Sequence, residues 1–269
     1  MTSPALRVID HCVLPVGDLA TARARLAALG FTVAPEGVHP FGTVNACVYF
    51  SDDTFLEPLA IGNAASVEEA VGAGNVFVAR DRAFRQELGE EGFSALVFKT
   101  EDAAADDRGF VAQGISAGPM LTFSRGFRDP DGASGTASFR LAFAAEPSET
   151  AGYLFTCQRI GVPQVDRSAL EIHANGARAI SAILAEAGDP ARARAFLDVA
   201  VPTPAGTIEM RPGRHGSGLR FAGIVLAVTD GARTERLFSE AGIDYTRSGN
   251  RLTVPPAPGQ GTEFIFEEA

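Results

Sequence analysis

Three segments of the chain share one layout, and that layout restricts its fold more than any other feature. In "VLPVGDLATARARLAALGF" an apolar strand runs into Asp18, a helical stretch follows, and Gly30-Phe31 ends it. "LVFKTEDAAADDRGFVAQGI" repeats this from Asp102 to Gly114-Ile115, and "IVLAVTDGARTERLFSEAGI" from Asp230 to Gly242-Ile243. Aspartate and glycine are twelve residues apart in all three, and self-similarity of this kind marks a duplicated structural unit. The aspartate accepts orphan N–H bonds of the first helical turn. The glycine ends the helix in a left-handed conformation, and an apolar residue then re-enters the core.

After the first unit, "GTVNACVYF" and "TFLEPLAI" read as further strands joined by the turn-forming "SDD", which gives β-α-β-β-β. A less regular copy lies in "NGARAISAILAEAGDPARARAFLDVAV", with Asp189-Pro190 as the helix start and "GTIEMRP" after it. Four units in about 260 residues is a consistent fit. Residues 72–93 and 158–176 connect them. The second connection places a boundary near 160–170, so residues 1–165 carry one pair of units and residues 166–269 a second, shorter pair.

Bulk properties exclude several functions. The net charge of −10, with no dense Lys/Arg cluster, repels a phosphodiester backbone, so nucleic acid is not an expected partner. No stretch approaches the roughly 18 uninterrupted apolar residues of a membrane span, and "MTSPALRVID" lacks the pattern of a secretion signal. A soluble, cytoplasmic protein is the expectation. Cys12, Cys47 and Cys157 are an odd number and widely spaced among strand-like residues, which suits core positions rather than a disulfide framework or a zinc site.

The repeated unit, the opening "IDHCVLPVGDL" and the strand "TFLEPLAI" together resemble the vicinal oxygen chelate superfamily, in its glyoxalase-like branch. The likeness is close in "GTVNACVYFSDDTFLEPLAI" (42–61), "FSRGFRDPDG" (123–132) and "TCQRIGVPQVDRSALEIHANGA" (156–177). It implies an α+β fold of four βαβββ units, paired into two cupped mixed β-sheets of the glyoxalase, bleomycin-resistance and dioxygenase type. It also implies a divalent metal chelated on a concave face by residues from the first and last strands of units.

His11, read in phase with Ile9 and Val13, and Glu57, in phase with Phe55 and Leu59, alternate with apolar neighbours, so both should face the covered side of the sheet. A carboxylate so placed needs a cation, a proton or strong donors. The resemblance puts metal ligands at these two positions; the residues alone also allow a metal-free structural pair. Seven residues before the capping aspartate stands His11 in the first unit, but Ala95 and Gly223 in two others. A third ligand must therefore come from elsewhere, and "GYLFTCQRI" offers Gln158 or Thr156. Asn45 can orient a substrate carbonyl, or satisfy a neighbouring backbone group. Arg125, with Ser124 beside it, is a natural clamp for a carboxylate or phosphate if it enters the cup, and a surface ion-pair partner if it does not. His173 reads as a brace of the domain connection or as a ligand or acid/base group; His39 and His215 read as solvated. Glu263 and Glu267, without a nearby histidine, read as support.

These residues imply an enzyme of the lyase or isomerase class acting on a small carbonyl- or carboxylate-bearing metabolite, with Glu57 as candidate base. A two-histidine, one-carboxylate iron centre for dioxygenation lacks its second strand histidine. The alternative is a non-catalytic binding or resistance protein of the same fold. Monomer and homodimer are both open, because two paired halves can close their own cups within one chain.

Overall fold

The computed structural model describes residues 6–128, 134–147, 152–161, 166–214 and 216–268. The first unit holds β1 (Ile9–Pro15), α1 (Leu19–Ala28), β2 (Gly37–Val38), β3 (Thr43–Asn45), β4 (Val48–Tyr49) and β5 (Phe55–Ile61). Two helices follow, α2 (Ala64–Gly72) and α3 (Val76–Leu88). The second unit is β6 (Ala95–Lys99), α4 (Ala103–Ala112), β7 (Leu121–Arg128), β8 (Ser134–Ala144) and β9 (Tyr153–Ile160). The less regular copy is abbreviated to β10 (Ala177–Ala187), α5 (Pro190–Ala200) and β11 (Ile208–Pro212), with a single strand after its helix. The last unit is β12 (Arg220–Val228), α6 (Gly231–Glu240), β13 (Thr246–Ser248), β14 (Arg251–Val254) and β15 (Glu263–Glu268).

Local chemistry shapes each unit as the repeat demands. The side chains of Asp18, Asp102, Asp189 and Asp230 accept from the N–H groups of Thr21, Ala105, Arg192 and Arg233, at 2.7–3.0 Å. Gly30, Gly114 and Gly242 have φ of 84°, 70° and 65°, where a side chain would clash with the backbone. Phe31, Ile115 and Ile243 then donate back to carbonyls five residues earlier, closing each helix end.

Among the described residues, one sheet has nine strands, in the order β2-β3-β5-β1-β6-β9-β8-β7 with β4 paired to β5. The other has six, in the order β11-β10-β12-β15-β14-β13. The fold is α+β with two curved mixed sheets. The larger sheet curls almost into a barrel: Phe41, at the β2–β3 turn, meets Phe123 of β7 across the opening, ring centroids 5.2 Å apart. Helices α2 and α3, read from sequence only as a connection, plug one end of this cup. Val76, Phe77 and Val78 pack there against Val13, Leu59, Val97 and Phe155. On the outer face one hydrophobic core runs through both halves, joining Leu14, Leu26 and Phe31 to Ile183, Phe264 and Phe266.

The inner face of the smaller sheet has its own closure. Glu209 on β11 and Arg251 on β14 belong to strands separated by three others, yet Arg251 makes two hydrogen bonds to Glu209, at 2.8 and 3.1 Å, and a third at 3.1 Å to Glu267. Glu263 pairs with Arg211 at 3.5 Å.

Candidate functional site

A bulge in β1 creates the site. Ile9 pairs with Phe98 and His11 with Val97, so β1 carries one extra residue, Asp10, over one step of β6. The insertion corrects the phase read from the sequence. Ile9 joins Cys12 and Leu14 in the outer core, whereas His11 goes with Val13 to the inner face. It also lets two neighbouring side chains meet: Nδ1 of His11 lies 2.7 Å from Oδ2 of Asp10. The same oxygen accepts from Nη2 of Arg159 at 2.7 Å.

On the other side of the imidazole, Nε2 of His11 is 3.3 Å from Oε2 of Glu57 on β5. The other oxygen of Glu57 accepts from Nδ2 of Asn45 at 2.6 Å and has Nε2 of His39 at 3.7 Å. The His11 ring stacks on Phe55 at 4.3 Å. Sequence reasoning placed His39 in solvent, and the structure buries it. His39 donates its backbone N–H to the carbonyl of Thr43 and sets Nδ1 2.9 Å from the Thr43 hydroxyl, so the tight β2–β3 hairpin turns the ring inward. His215 lies outside the described residues.

Electrostatics separate the two histidines. Burial pulls His11 down, but hydrogen bonds and charge from Asp10 and Glu57 outweigh it and raise its pKa. His39 lacks that support, and burial lowers it to about 4. Burial pushes Glu57 up, while His11, then His39 and Asn45, hold its carboxyl down at about 2. Asp10, wholly buried, is likewise lowered by His11 and Arg159 against its desolvation. The two carboxylates beside His11 favour its charged form, whereas burial keeps the His39 imidazole neutral at neutral pH.

This cluster lies in the wall of a cavity of ≈ 830 Å³ on the inner face of the larger sheet. Arg125 enters it from β7, its guanidinium over the Phe139 ring at 5.7 Å. Arg159 and Arg167 also line it, Arg167 over the Tyr49 ring at 4.6 Å.

The other expected site residues stand elsewhere. Phe155 and Cys157 face the cavity, so strand alternation sends Thr156 and Gln158 to the opposite face. There Gln158 accepts from the N–H of Ala103 and donates to the carbonyl of Glu101, at the start of α4. Ser124 alternates outward from Arg125 and meets Ser138 at 2.8 Å on the exposed side. His173 does not line the cavity: Nδ1 accepts from the N–H of Thr32 at 3.0 Å and Nε2 donates to the carbonyl of Tyr49 at 2.8 Å. Both ring nitrogens tie the inter-half connection to the first unit.

The donor set also tests the implied metal. Gln158 is remote, and although His11 and His39 both approach Glu57, among the described residues no three His, Cys, Asp or Glu side chains have the arrangement that holds a metal ion. Both nitrogens of His11 and both oxygens of Glu57 already address protein groups. The residues do not fit a three-ligand metal centre, so the chemistry is derived from the side chains alone.

Asp10, His39, Arg159 and Arg167 were missed by sequence reasoning. Only Asp10 left a signal, as a charge beside His11 within an apolar strand.

The fold has solved relatives. A hypothetical protein from Staphylococcus aureus superposes with a TM-score of 0.67 at 11% identity, covering 97% of this chain and 99% of that one. A mutant of 4-hydroxymandelate synthase from Streptomyces coelicolor gives 0.57 at 11% identity, over 98% and 93% of the two chains. A catechol 2,3-dioxygenase gives 0.53 at 12%, over 99% and 89%. Curated protein sequences give no match. None of the described helices is long and apolar enough to cross a membrane. A family model described as a glyoxalase-like domain matches residues 9–201, and with the curled sheet of paired repeats this shows that the chain belongs to the glyoxalase-like family of the vicinal oxygen chelate fold.

Proposed function

We propose that the cavity binds a small metabolite carrying a carbonyl or carboxylate, and that His11 and Glu57 move a proton at a carbon next to its carbonyl, as a lyase or isomerase does. The observation that carries this is the buried His11–Glu57 contact, exposed to the cavity and long at 3.3 Å. A carbonyl oxygen that takes the place of Glu57 at Nε2 meets a donor whose charged form the Asp10 carboxylate favours. As the C–H bond breaks, its electron pair moves to that oxygen, and the donor stabilises the developing charge. Glu57, released from the contact that most depresses it, becomes a stronger base and accepts the proton. Asn45 holds the carboxylate in place through Oε1. Returning the proton to another carbon completes an isomerisation; loss of a leaving group completes a lyase reaction.

The test is protein-dependent exchange of C–H for C–D in D₂O, followed by NMR with pyruvate, hydroxyacetone and phenylpyruvate. The expected result is saturable exchange that disappears in Glu57→Gln and His11→Asn. A second reading, a binding protein without chemistry, draws on the contacts that already tie His11 and Asn45 to Asp10 and Glu57; saturable binding without exchange selects it. Absence of both binding and exchange across the panel rejects the first reading.

A further inference from the structure

We infer that the occupant of the cavity is a monoanionic aromatic carboxylate, with its carboxylate seated on Arg125 in a notch opened by Gly37. This deepens the reading above, because a ligand anchored there lies beside Asn45 and hence beside Glu57. Gly37 does not have the positive φ that would demand glycine. It stands there for space. A Cβ at this position would collide with Oδ1 of Asn45 and lie 2.9 Å from Nη1 of Arg125. The missing side chain lets carboxamide and guanidinium approach the β2 backbone together.

Arg125 and Arg167 are the lining cations with capacity to spare, and Arg125 is the one that stands with Asn45 at the Gly37 notch. Arg159 is engaged by Asp10, whereas no carboxylate among the described residues stands within ion-pair distance of Arg125. A half-buried guanidinium with an aromatic face beneath it is suited to a planar, bidentate anion. The charge balance sets the size of that anion. Three arginines and three carboxylates, Glu36, Glu57 and Asp166, line the cavity, which leaves no surplus of positive charge for the two negative charges of a phosphate ester.

The body of the ligand follows from the walls. Phe41, Phe77, Phe123, Phe139 and Phe155 present ring faces and edges to the cavity. Phe123 and Phe139 stack at 5.1 Å and 22°, and His39 and Phe41 at 5.0 Å and 11°. Flat surfaces of this kind take a ring by offset or edge contacts, and ≈ 830 Å³ accommodates a ring with its side chain.

Calorimetric titration of the full chain tests this with 3-phenylpropionate, its amide, 3-cyclohexylpropionate and phenyl phosphate. The expected result is saturable binding of the aromatic acid, with the amide, the cyclohexyl acid and the phosphate ester each weaker, the amide by at least about tenfold. Arg125→Gln should remove the preference for acid over amide, Arg125→Lys should restore part of it, and Gly37→Ala should weaken the acid in a chain whose circular dichroism is unchanged. Equal binding of acid and amide, a preference that survives Arg125→Gln, tighter binding of the phosphate ester or the cyclohexyl acid, or no binding of the aromatic acid at millimolar concentration each overturns the proposal. The probe acid has no ketone or aldehyde carbonyl, so recognition is read apart from proton transfer. Acid preference without exchange on the carbonyl compounds sinks only the catalytic reading; exchange without acid preference sinks only this one.

Discussion

Replacing Glu57 with glutamine should change the pH dependence of stability by an amount the structure fixes. The carboxyl moves from an ordinary 4.5 to about 2 on folding, roughly 2.5 units, and at about 1.36 kcal/mol per unit this is on the order of 3 kcal/mol. The sign follows from the depression. The contribution is fully present above the unfolded value of 4.5 and is lost as pH falls through the folded value of about 2. His11 is raised above its ordinary 6.5, so its own contribution is fully present below that value. Comparing pH 5.5 with pH 3 therefore isolates Glu57. Across this window the wild type should lose about 2 kcal/mol relative to Glu57→Gln, because at pH 3 the unfolded carboxyl is almost fully protonated and the folded one is about nine-tenths ionised. Urea unfolding followed by circular dichroism at the two pH values reads the difference, and every carboxylate common to both chains cancels. A gap between the two proteins that stays constant from pH 5.5 to pH 3 would refute the assignment of Glu57 as a strongly held anion.

Three other perturbations follow from particular contacts. Arg85, buried in α3, donates to the carbonyls of Val16, Leu59 and Glu90 and to Asp81; Arg85→Met leaves these groups unpaired and should lower urea stability by about 3–5 kcal/mol. Glu209→Gln, at a pair about a third exposed, should cost no more than about 1 kcal/mol in the same assay. Burial raises the Cys47 thiol to about 12, so iodoacetamide at pH 8 should label native Cys47 about a thousandfold more slowly than an ordinary exposed cysteine, as measured by peptide mass spectrometry.

What was legible in the sequence was local. An aspartate and a glycine act within one helix, so their spacing located the helices of three units, and Asp189-Pro190 marked the start of the helix in the unit abbreviated after β11. Strand parity placed Glu57 correctly, since β5 runs without interruption from Phe55 to Ile61. It failed for Ile9, because a bulge is a property of the pairing with β6 and not of β1 alone. For Gln158 the parity of β9 was countable, but which parity faced the cup was not. His39 was invisible for a different reason: its burial depends on Phe41 meeting Phe123 across the curl of the sheet, a contact between residues 82 positions apart. The role of α3 as a plug is likewise tertiary, and its apolar Val76–Val78 stretch specified only that something must cover it.

The same physics explains why the site exists once in a chain of repeated units. The position of His11 is taken by Ala95 in the second unit, and Ala95 is fully buried among Val13, Phe77, Phe143 and Phe155 under the α2–α3 plug. In the last unit the position is Gly223, and a Cβ there would already lie 3.1 Å from both the carbonyl oxygen of Glu263 and a methyl of Leu184. The neighbouring inner face, Ala182, Leu184, Val225 and Ile265, is small and packed, and Arg251 reaches across it to Glu209. With a single strand after the helix of the third unit, β11 and β14 approach each other, and the Arg251–Glu209 ion pair lies across the inner face of the smaller sheet. The larger sheet keeps its full complement of strands, so its edges meet through Phe41 and Phe123 only after enclosing a cavity. Among the described residues, that is where a histidine has carboxylates that favour its charged form and an open volume to face.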